Sequence, residues 1–295
     1  MKCDLSIVTV STNQLPLIRQ CLTSLYALPW TVTFEVALVD NACTDGTGDW
    51  VRRHFPQVKI VRNEVRKGYS ENGNIGIRAQ QNGRYVLTLN PDIVCLPGLL
   101  DELVAFMDAH PEVGIAGPKL LNPDMTLQPS CRRFSTLGAI FIRGLHLDGL
   151  FRRMRFIRDY LMEDLDHDEV GEVDWVTGAL LIVRREAITQ VGLMDDQSYF
   201  LYAEDQDWCC RMWQAGWRVC YVPAARAIHA HMREGIKKPW SRAARYQLKS
   251  AYRMFQKFSW KLTRTPRPGT MDRFPGSLVK DAAIISGNFE KRGKP

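Results

Sequence analysis

The chain has 295 residues, 45% hydrophobic and 24% charged, with a net charge of +7 and a pI near 9.0. That composition excludes disordered, fibrous and disulfide-scaffold classes and suits one large α/β domain with a tail, while the cation excess points to anionic partners: nucleotides, phospholipid head groups or nucleic acid. No run of about 18 uninterrupted apolar residues occurs, so no membrane-spanning helix is expected. Met1-Lys2-Cys3-Asp4 leads directly into a strand, which argues against a signal peptide. The eight cysteines lack any C-x-x-C pair, as expected of reduced thiols in a cytoplasmic protein.

In chain order, Leu5–Val10 reads as a strand and Leu15–Leu28 as a helix, with apolar spacing at Leu15, Ile18, Leu22 and Leu25. Phe34–Val39 is a second strand, Asp45–Phe55 a short helix and Val58–Val61 a third strand. Ser70–Gln81 is a helix, Tyr85–Leu89 a fourth strand, Leu99–His110 a helix and Val113–Ala116 a strand. Alternation this dense predicts a mostly parallel sheet with helices on both faces. The polar tips Ser11-Thr12-Asn13, Asp40-Asn41 and Asn90-Pro91-Asp92 would then share the carboxyl edge, where ligands bind in open α/β sheets.

Beyond Gly117 the pattern changes. Lys119–Gln128 reads as a hairpin about Asn122-Pro123-Asp124, and Leu137–Glu172 as a mixed, helical insert. A strand at Trp175–Val183 precedes a helix from Arg184 to Val191. Another helix runs from the Glu204-Asp205 region to Ala215, and strands follow at Arg218–Tyr221 and Ala227–His229. The basic segment Arg242–Arg264 puts Leu248, Tyr252, Phe255, Ser259 and Leu262 on one helical stripe. Such a helix suits an anionic membrane surface or packs by its stripe on the preceding domain. Both readings stay open, and the Pro/Gly-containing remainder reads as a tail.

Five places carry residues suited to chemistry. In Val86–Ile93 a buried strand meets a proline that ends the ladder and presents Asp92, a carboxylate suited to a hard cation and through it to a diphosphate; Asn-Pro-Asp is also ordinary turn chemistry. Asp40 ends a second buried strand, where it can accept from a pyrimidine N–H or ribose hydroxyls, although Asn41 and Asp45 also suit helix capping. Lys67–Gly76 is a Gly/Asn-rich helix entry that lets backbone approach an anion; neither G-x-G-x-x-G nor a P-loop is present. Tyr199–Asp207 sets aromatic residues before Glu204, Asp205 and Asp207, which complement a helix dipole or build a general base. A histidine alone is more often structural than a ligand, but His229 and His231 at strand spacing share a face.

Taken together, these ordered motifs over residues 4–232 resemble the inverting family 2 glycosyltransferases of GT-A fold, in particular the soluble rhamnosyltransferase-like branch. Ser6–Asn13 resembles the family's opening strand, Val39–Gly46 its Val-Asp-Asn-Ala-Ser-x-Asp-Gly block, and Asn90-Pro91-Asp92 its Asp-x-Asp variant. Trp175–Ala179 and Gly192–Asp195 resemble acceptor-side blocks, Phe200–Asp207 the Glu-Asp motif and Pro223–His229 the closing Pro…His segment. The resemblance implies a GT-A nucleotide-diphospho-sugar transferase fold and sugar transfer to a hydroxyl of a glycan or lipid-linked acceptor in cell-surface polysaccharide synthesis. The catalytic base would be Asp205. Nucleotide-binding residues would be Val10, Ser11, Asn13, Asp40, Asn41, Gly68, Asn74 and Asn90. Asp92 and His229 would hold Mg²⁺ or Mn²⁺, and Trp175, Gly178 and Glu204 would lie on the acceptor side.

The branch favours a dTDP-rhamnose donor, although Thr12, Arg66 and Gly73 depart from the family pattern around the nucleotide. A catalytic domain is expected over residues 1–235, with its nucleotide half to about 117 and its acceptor half from 118. A basic helical extension would cover 236–265 and a tail 266–295. The protein is expected in the cytoplasm or peripherally on the inner face of the membrane. A non-catalytic nucleotide-sugar-fold binding protein and a sugar-nucleotide pyrophosphorylase are the alternatives. The pyrophosphorylase reading is disfavoured because the Gly-rich opening loop is missing.

Overall fold

A computed structural model describes residues 3–134, 154–230 and 242–258. Strands β1 (Cys3–Ser11), β2 (Phe34–Asn41), β3 (Lys59–Asn63) and β4 (Gly83–Leu89) alternate with helices α1 (Leu15–Ala27), α2 (Thr47–His54) and α3 (Tyr69–Ala79). After β5 (Ile93–Cys95) come α4 (Leu99–Ala109), β6 (Val113–Leu121), β7 (Leu127–Gln128) and β8 (Cys131–Arg132). Then follow α5 (Arg155–Tyr160), β9 (Gly171–Glu172), β10 (Trp175–Val176), β11 (Leu180–Arg184) and α6 (Arg185–Val191). The described elements end with α7 (Glu204–Gln214), β12 (Arg218–His229) and α8 (Arg242–Phe258).

The main sheet runs β3-β2-β1-β4-β11-β6-β12-β5. Its first four strands are parallel, as are β6 and β12, whereas β11 is antiparallel to β4 and β6, and β5 to β12. The expected mostly parallel α/β sheet is therefore present. β11 sits between β4 and β6, so the parts of the chain before and after residue 117 share one sheet.

Side chains alternate between two cores, as the period of two along a strand dictates. Leu5 and Ile7 of β1, Leu87 and Leu89 of β4, and Leu180 and Ile182 of β11 join the core under α1 and α4. Val8, Val86, Leu181 and Val183 from the same strands join the opposite core with α7 and α8. Helices thus cover both faces. In α1 a proline in the first turn costs no hydrogen bond, and Ile18, Cys21, Leu22 and Leu25 form its buried stripe.

Three expected elements differ in instructive ways. The strand expected over Trp175–Val183 is two, β10 and β11, because residues 177–179 direct backbone groups elsewhere: the Gly178 N–H to Asp205, its carbonyl to Tyr69, and the Ala179 carbonyl to Asn90. The two strands expected at Arg218–Tyr221 and Ala227–His229 are one, β12, whose register against β6 slips between Val222 and Arg226. Pro223 lies in that slip, where its missing N–H costs no ladder bond. On α8 the buried residues are Ser250, Met254 and Phe258 instead of the expected stripe, while Leu248 and Tyr252 face outward. Met254 packs against Tyr199, and Lys257 is drawn to Asp195 and Asp207, which fixes the rotation of the helix. The hairpin about Asn122-Pro123-Asp124 forms as expected. Ser259, Leu262, His231, the tail 266–295 and much of the insert lie outside the described residues.

Candidate active site

The turn after β4 and the end of β12 meet. Because His229 pairs with Ile93 across β12 and β5, its imidazole Nε2 comes 3.3 Å from Asp92 Oδ2. The ring's other face is fixed by Gln128. The Gln128 amide nitrogen donates to Asn122 Oδ1 at 2.9 Å and to the His229 carbonyl at 3.2 Å, so its oxygen must face His229 Nδ1, 2.6 Å away. Nδ1 therefore carries a proton and donates it, leaving Nε2 to face the carboxylate. Two lone-pair atoms so placed repel each other unless a proton or a cation stands between them. Residues Asp92 and His229 fit an open divalent-cation site of one hard oxygen and one imidazole nitrogen. Among the described residues no group of three or more His, Cys, Asp or Glu forms a metal cage. A nucleotide diphosphate and water would have to complete the shell.

Tyr69 joins this turn to the Glu204-Asp205 segment. Its hydroxyl lies 3.1 Å from Asn90 Oδ1 and donates to the Gly178 carbonyl at 2.8 Å. The N–H of the same Gly178 donates to Asp205 Oδ2 at 2.9 Å. Burial pushes the Tyr69 hydroxyl far above its usual pKa, and the charges of Glu204, Asp205 and Asp92 push it further, so it acts only as a neutral donor. A Cβ on Gly178 would approach the Asp205 side chain to 3.4 Å.

Backbone strain marks the same segment. Tyr202 and Ala203, immediately before α7, both have φ of 70°, in the left-handed region that disfavours side chains. Glu204 is buried, its Oε2 has no hydrogen-bond partner, and neither has Gln206 Nε2. Desolvation first, and Asp205 second, push the Glu204 carboxyl up to about 8. A neutral Glu204 beside an Asp205 that accepts from Gly178 and Gln206 N–H groups splits the roles of the pair.

The carboxyl ends of β1, β2 and β3 hold a separate polar network. Asp40 is fully buried; its Oδ1 accepts from Cys43 N–H and its Oδ2 from Arg62, both at 2.8 Å. Gly48 of α2 allows this, since a Cβ there would stand 2.7 Å from Asp40 Oδ2. Asn41 accepts from Lys67 N–H at 2.8 Å and donates to Thr12 Oγ1 and the Lys67 carbonyl. Asn63 bridges Asn41 to Asn72, which in turn donates to the Lys67 and Gly68 carbonyls. Asn13, at φ 56°, accepts from Thr44 N–H.

The structure gathers most of the residues singled out by sequence, though not in one cluster. Ser11, Asn13, Asp40 and Asn41 share the edge of β1 and β2, with Val10 half-buried behind them. Asn90 and Gly178 meet at the Tyr69 hydroxyl, Asp205 is bonded to Gly178, the charges of Glu204 and Asp92 reach Tyr69, and His229 lies against Asp92. Gly68 lies against the Phe200 loop, where a Cβ would stand 2.6 Å from the Phe200 carbonyl oxygen. Asn74 is elsewhere: its amide is spent on Met194 and Asp196, pinning that segment to α3, and Asn72 joins the Asn41–Asn63 network instead. Trp175 is core, its indole N–H given to the Arg133 carbonyl. Asp45, weighed as a cap, stands one residue before Gly46, the N-cap of α2, and accepts from the first N–H of each of α1 and α2, at Leu15 and Thr47. Tyr69, Arg62, Asn63 and Gln128 were not singled out. Only Asn72 and Tyr69, inside the Gly/Asn-rich stretch, carried a local signal; the others depend on strands distant in sequence.

Comparison with known proteins agrees with this architecture. The family model for glycosyl transferase family 2 matches residues 6–164. An N-acetylglucosaminyl-diphospho-decaprenol L-rhamnosyltransferase of Mycobacterium tuberculosis is 33% identical over 261 residues, covering 84% of this chain and 82% of its own. The rhamnosyltransferase WbbL of Escherichia coli K12 is 29% identical over 223 residues, covering 68% and 74%. Among solved structures, a mannosyltransferase of Pyrobaculum calidifontis in complex with GDP-Man and Mn²⁺ superposes with a TM-score of 0.55 at 17% identity, covering 88% of this chain and 75% of its own. GalNAc-T7 with UDP, GalNAc and Mn²⁺ gives 0.59 at 17% identity, over 77% of this chain but 43% of that one. The fold is the GT-A fold.

Proposed function

The chain belongs to glycosyl transferase family 2, and on that footing we propose that it moves a sugar, with inversion, from a nucleotide-diphosphate donor to an acceptor hydroxyl. The names of its relatives support rhamnose as the sugar, and one of them, naming a diphospho-decaprenol, supports a lipid-linked acceptor, for which we propose a place in cell-surface polysaccharide synthesis. The observation that carries the reading is the Tyr69 bridge. It links the turn bearing Asn90 and Asp92, which His229 approaches from the end of β12, to a carboxylate, Asp205, across a single glycine.

In this mechanism Asp205 takes the proton from the attacking hydroxyl, held in orientation by the N–H of Gly178. Tyr69 is a positioning residue that fixes that peptide and restrains Asn90. Glu204, kept neutral by burial, adds no second negative charge beside the base. Asp92 and His229 would hold the divalent cation, with Gln128 orienting the imidazole; such a site would supply positive charge beside the departing diphosphate. The Asp40–Asn41 edge receives the nucleoside, which would share Asp40 Oδ2 with Arg62, a side chain mostly in solvent.

The catalytic unit is assigned to residues 1–235, with the basic extension and tail as additions. All eight cysteines are unpaired, in keeping with a cytoplasmic site of action, and among the described residues no helix is long and apolar enough to cross a membrane. The test is Asp205→Asn with dTDP-rhamnose as donor and a polyprenyl-diphosphate glycan as acceptor. Turnover should fall by about 10² to 10⁴ with donor affinity nearly intact. Near-normal transfer would remove Asp205 from the role.

A further inference from the structure

We propose that the outward face of α8 is a docking surface for an anionic lipid bilayer. The helix presents two opposite faces with different work. Its inner face is committed to the catalytic domain: Met254 and Phe258 are buried, Ser250 donates to the Leu201 carbonyl at 2.8 Å, and Tyr246 stacks on Phe200 with ring centroids 4.7 Å apart. Lys257 donates to Asp195 and to fully buried Asp207, both at 2.6 Å. Rotation about the axis is therefore fixed, and so is what faces outward.

On the outer face Leu248 and Tyr252 are 49% and 61% exposed, flanked by exposed Arg245, Lys249 and Arg253. Across Arg242–Phe258 there are five Arg or Lys and no Asp or Glu, so this helix carries +5 of the chain's net +7. A solvated helix face ordinarily mixes signs, which gains i,i+4 pairs and avoids self-repulsion. Here like charges surround an aliphatic and an aromatic side chain, the pattern that immerses at a headgroup boundary while cations meet lipid phosphates within the Debye length of about 10 Å. Leu248 argues for lipid over nucleic acid, whose backbone offers an aliphatic side chain nothing to bury against.

Position adds a reason. The inner face grips Tyr199–Leu201, the segment that runs through the strained Tyr202-Ala203 pair into Asp205. A bilayer on the outer face would lie one helix diameter, about 10 Å, from this acceptor-side loop. That last step rests on the proposed transfer to a lipid-linked acceptor; the docking surface itself does not.

The test is flotation of the full chain with vesicles of phosphatidylcholine alone or mixed with phosphatidylglycerol, in low and high salt. Binding is expected only with phosphatidylglycerol and should fall with salt. Lys249→Glu with Arg253→Glu should lower it at least ~10-fold, and Leu248→Ser with Tyr252→Ser several-fold, with melting temperatures unchanged because all four side chains are exposed. Equal binding to neutral vesicles, no flotation, insensitivity to both variants, or tighter binding to duplex DNA than to anionic vesicles would each overturn the proposal. Vesicle binding requires no turnover. A protein that floats but transfers no sugar would break the transferase reading alone, and an active protein that does not float would break the docking proposal alone.

Discussion

The two polar regions at the sheet's carboxyl edge are built on opposite principles. Around Asp40, Asn41, Asn63 and Asn72 the polar side chains are buried and mutually satisfied, and the network ties β1, β2, β3 and the Lys67 loop into one rigid rim. Around Tyr69 the opposite holds: Glu204 Oε2 and Gln206 Nε2 lack partners, and a buried carboxyl is held near 8. A satisfied network resists rearrangement and suits shape-specific binding. Unmet hydrogen-bonding capacity persists only where the surroundings impose it, and it suits chemistry. On the proposed function, recognition falls to the first region and reaction to the second.

That division can be broken most decisively at the cation pair. Asp92→Ala should weaken Mn²⁺-dependent nucleotide binding by about 100-fold and leave the metal-free affinity alone, and Gln128→Leu should weaken it about 10-fold through the misoriented imidazole. Titration calorimetry with and without Mn²⁺ checks both; equal losses in the two conditions would make Asp92 merely structural. On the recognition side, Asn41→Ala strands the Lys67 N–H and its neighbours and should cost about 1–3 kcal/mol. For a chain of this size that lowers Tm by several degrees, roughly 2–4 °C per kcal/mol. A Tm unchanged by Asn41→Ala would deny that this rim is a rigid network.

Tyr69→Phe keeps the ring and removes the bridge. It should reduce kcat about 10-fold, equivalent to one lost hydrogen bond of about 1.4 kcal/mol, with donor KM unchanged. A rise in KM at constant kcat would move Tyr69 to the recognition side. The smallest effect expected is the pH dependence of Glu204. Its folded-state pKa is raised, so the folded chain holds a proton that the unfolded chain releases between about 4.5 and 8. The associated stability is fully present below 4.5 and is lost as pH rises through about 8. Glu204→Gln should flatten the decline of Tm between those values, and a wild-type Tm already flat across that window would contradict a buried, neutral Glu204.

A second titration runs the other way. Burial opposes ionisation of Asp195, yet Lys257 and the Ser198 backbone and hydroxyl hold it down to about 2. The clasp between α8 and the domain therefore survives mild acid and weakens only as pH falls from about 3.8 toward 2.

The alternation of Leu5–Val10, Phe34–Val39 and Tyr85–Leu89 with amphipathic helices was enough to specify the parallel sheet and its carboxyl edge, because period and turn chemistry are local properties. Asp40, Asp92 and Asp205 were legible for the same reason: each stands at a strand end or helix start that its neighbours in sequence define. Tertiary structure decided what those carboxylates touch. His229 reaches Asp92 only because β12 pairs with β5, and Gln128 reaches His229 across 101 residues. Asn72 replaces Asn74 in the rim because the Met194–Asp196 segment claims the latter. The stripe of α8 points outward because Met254 and Lys257 find partners on α7 and the loop before it. Hydrogen-bond partners are set by register and packing between distant segments, and no local pattern in the sequence encodes them.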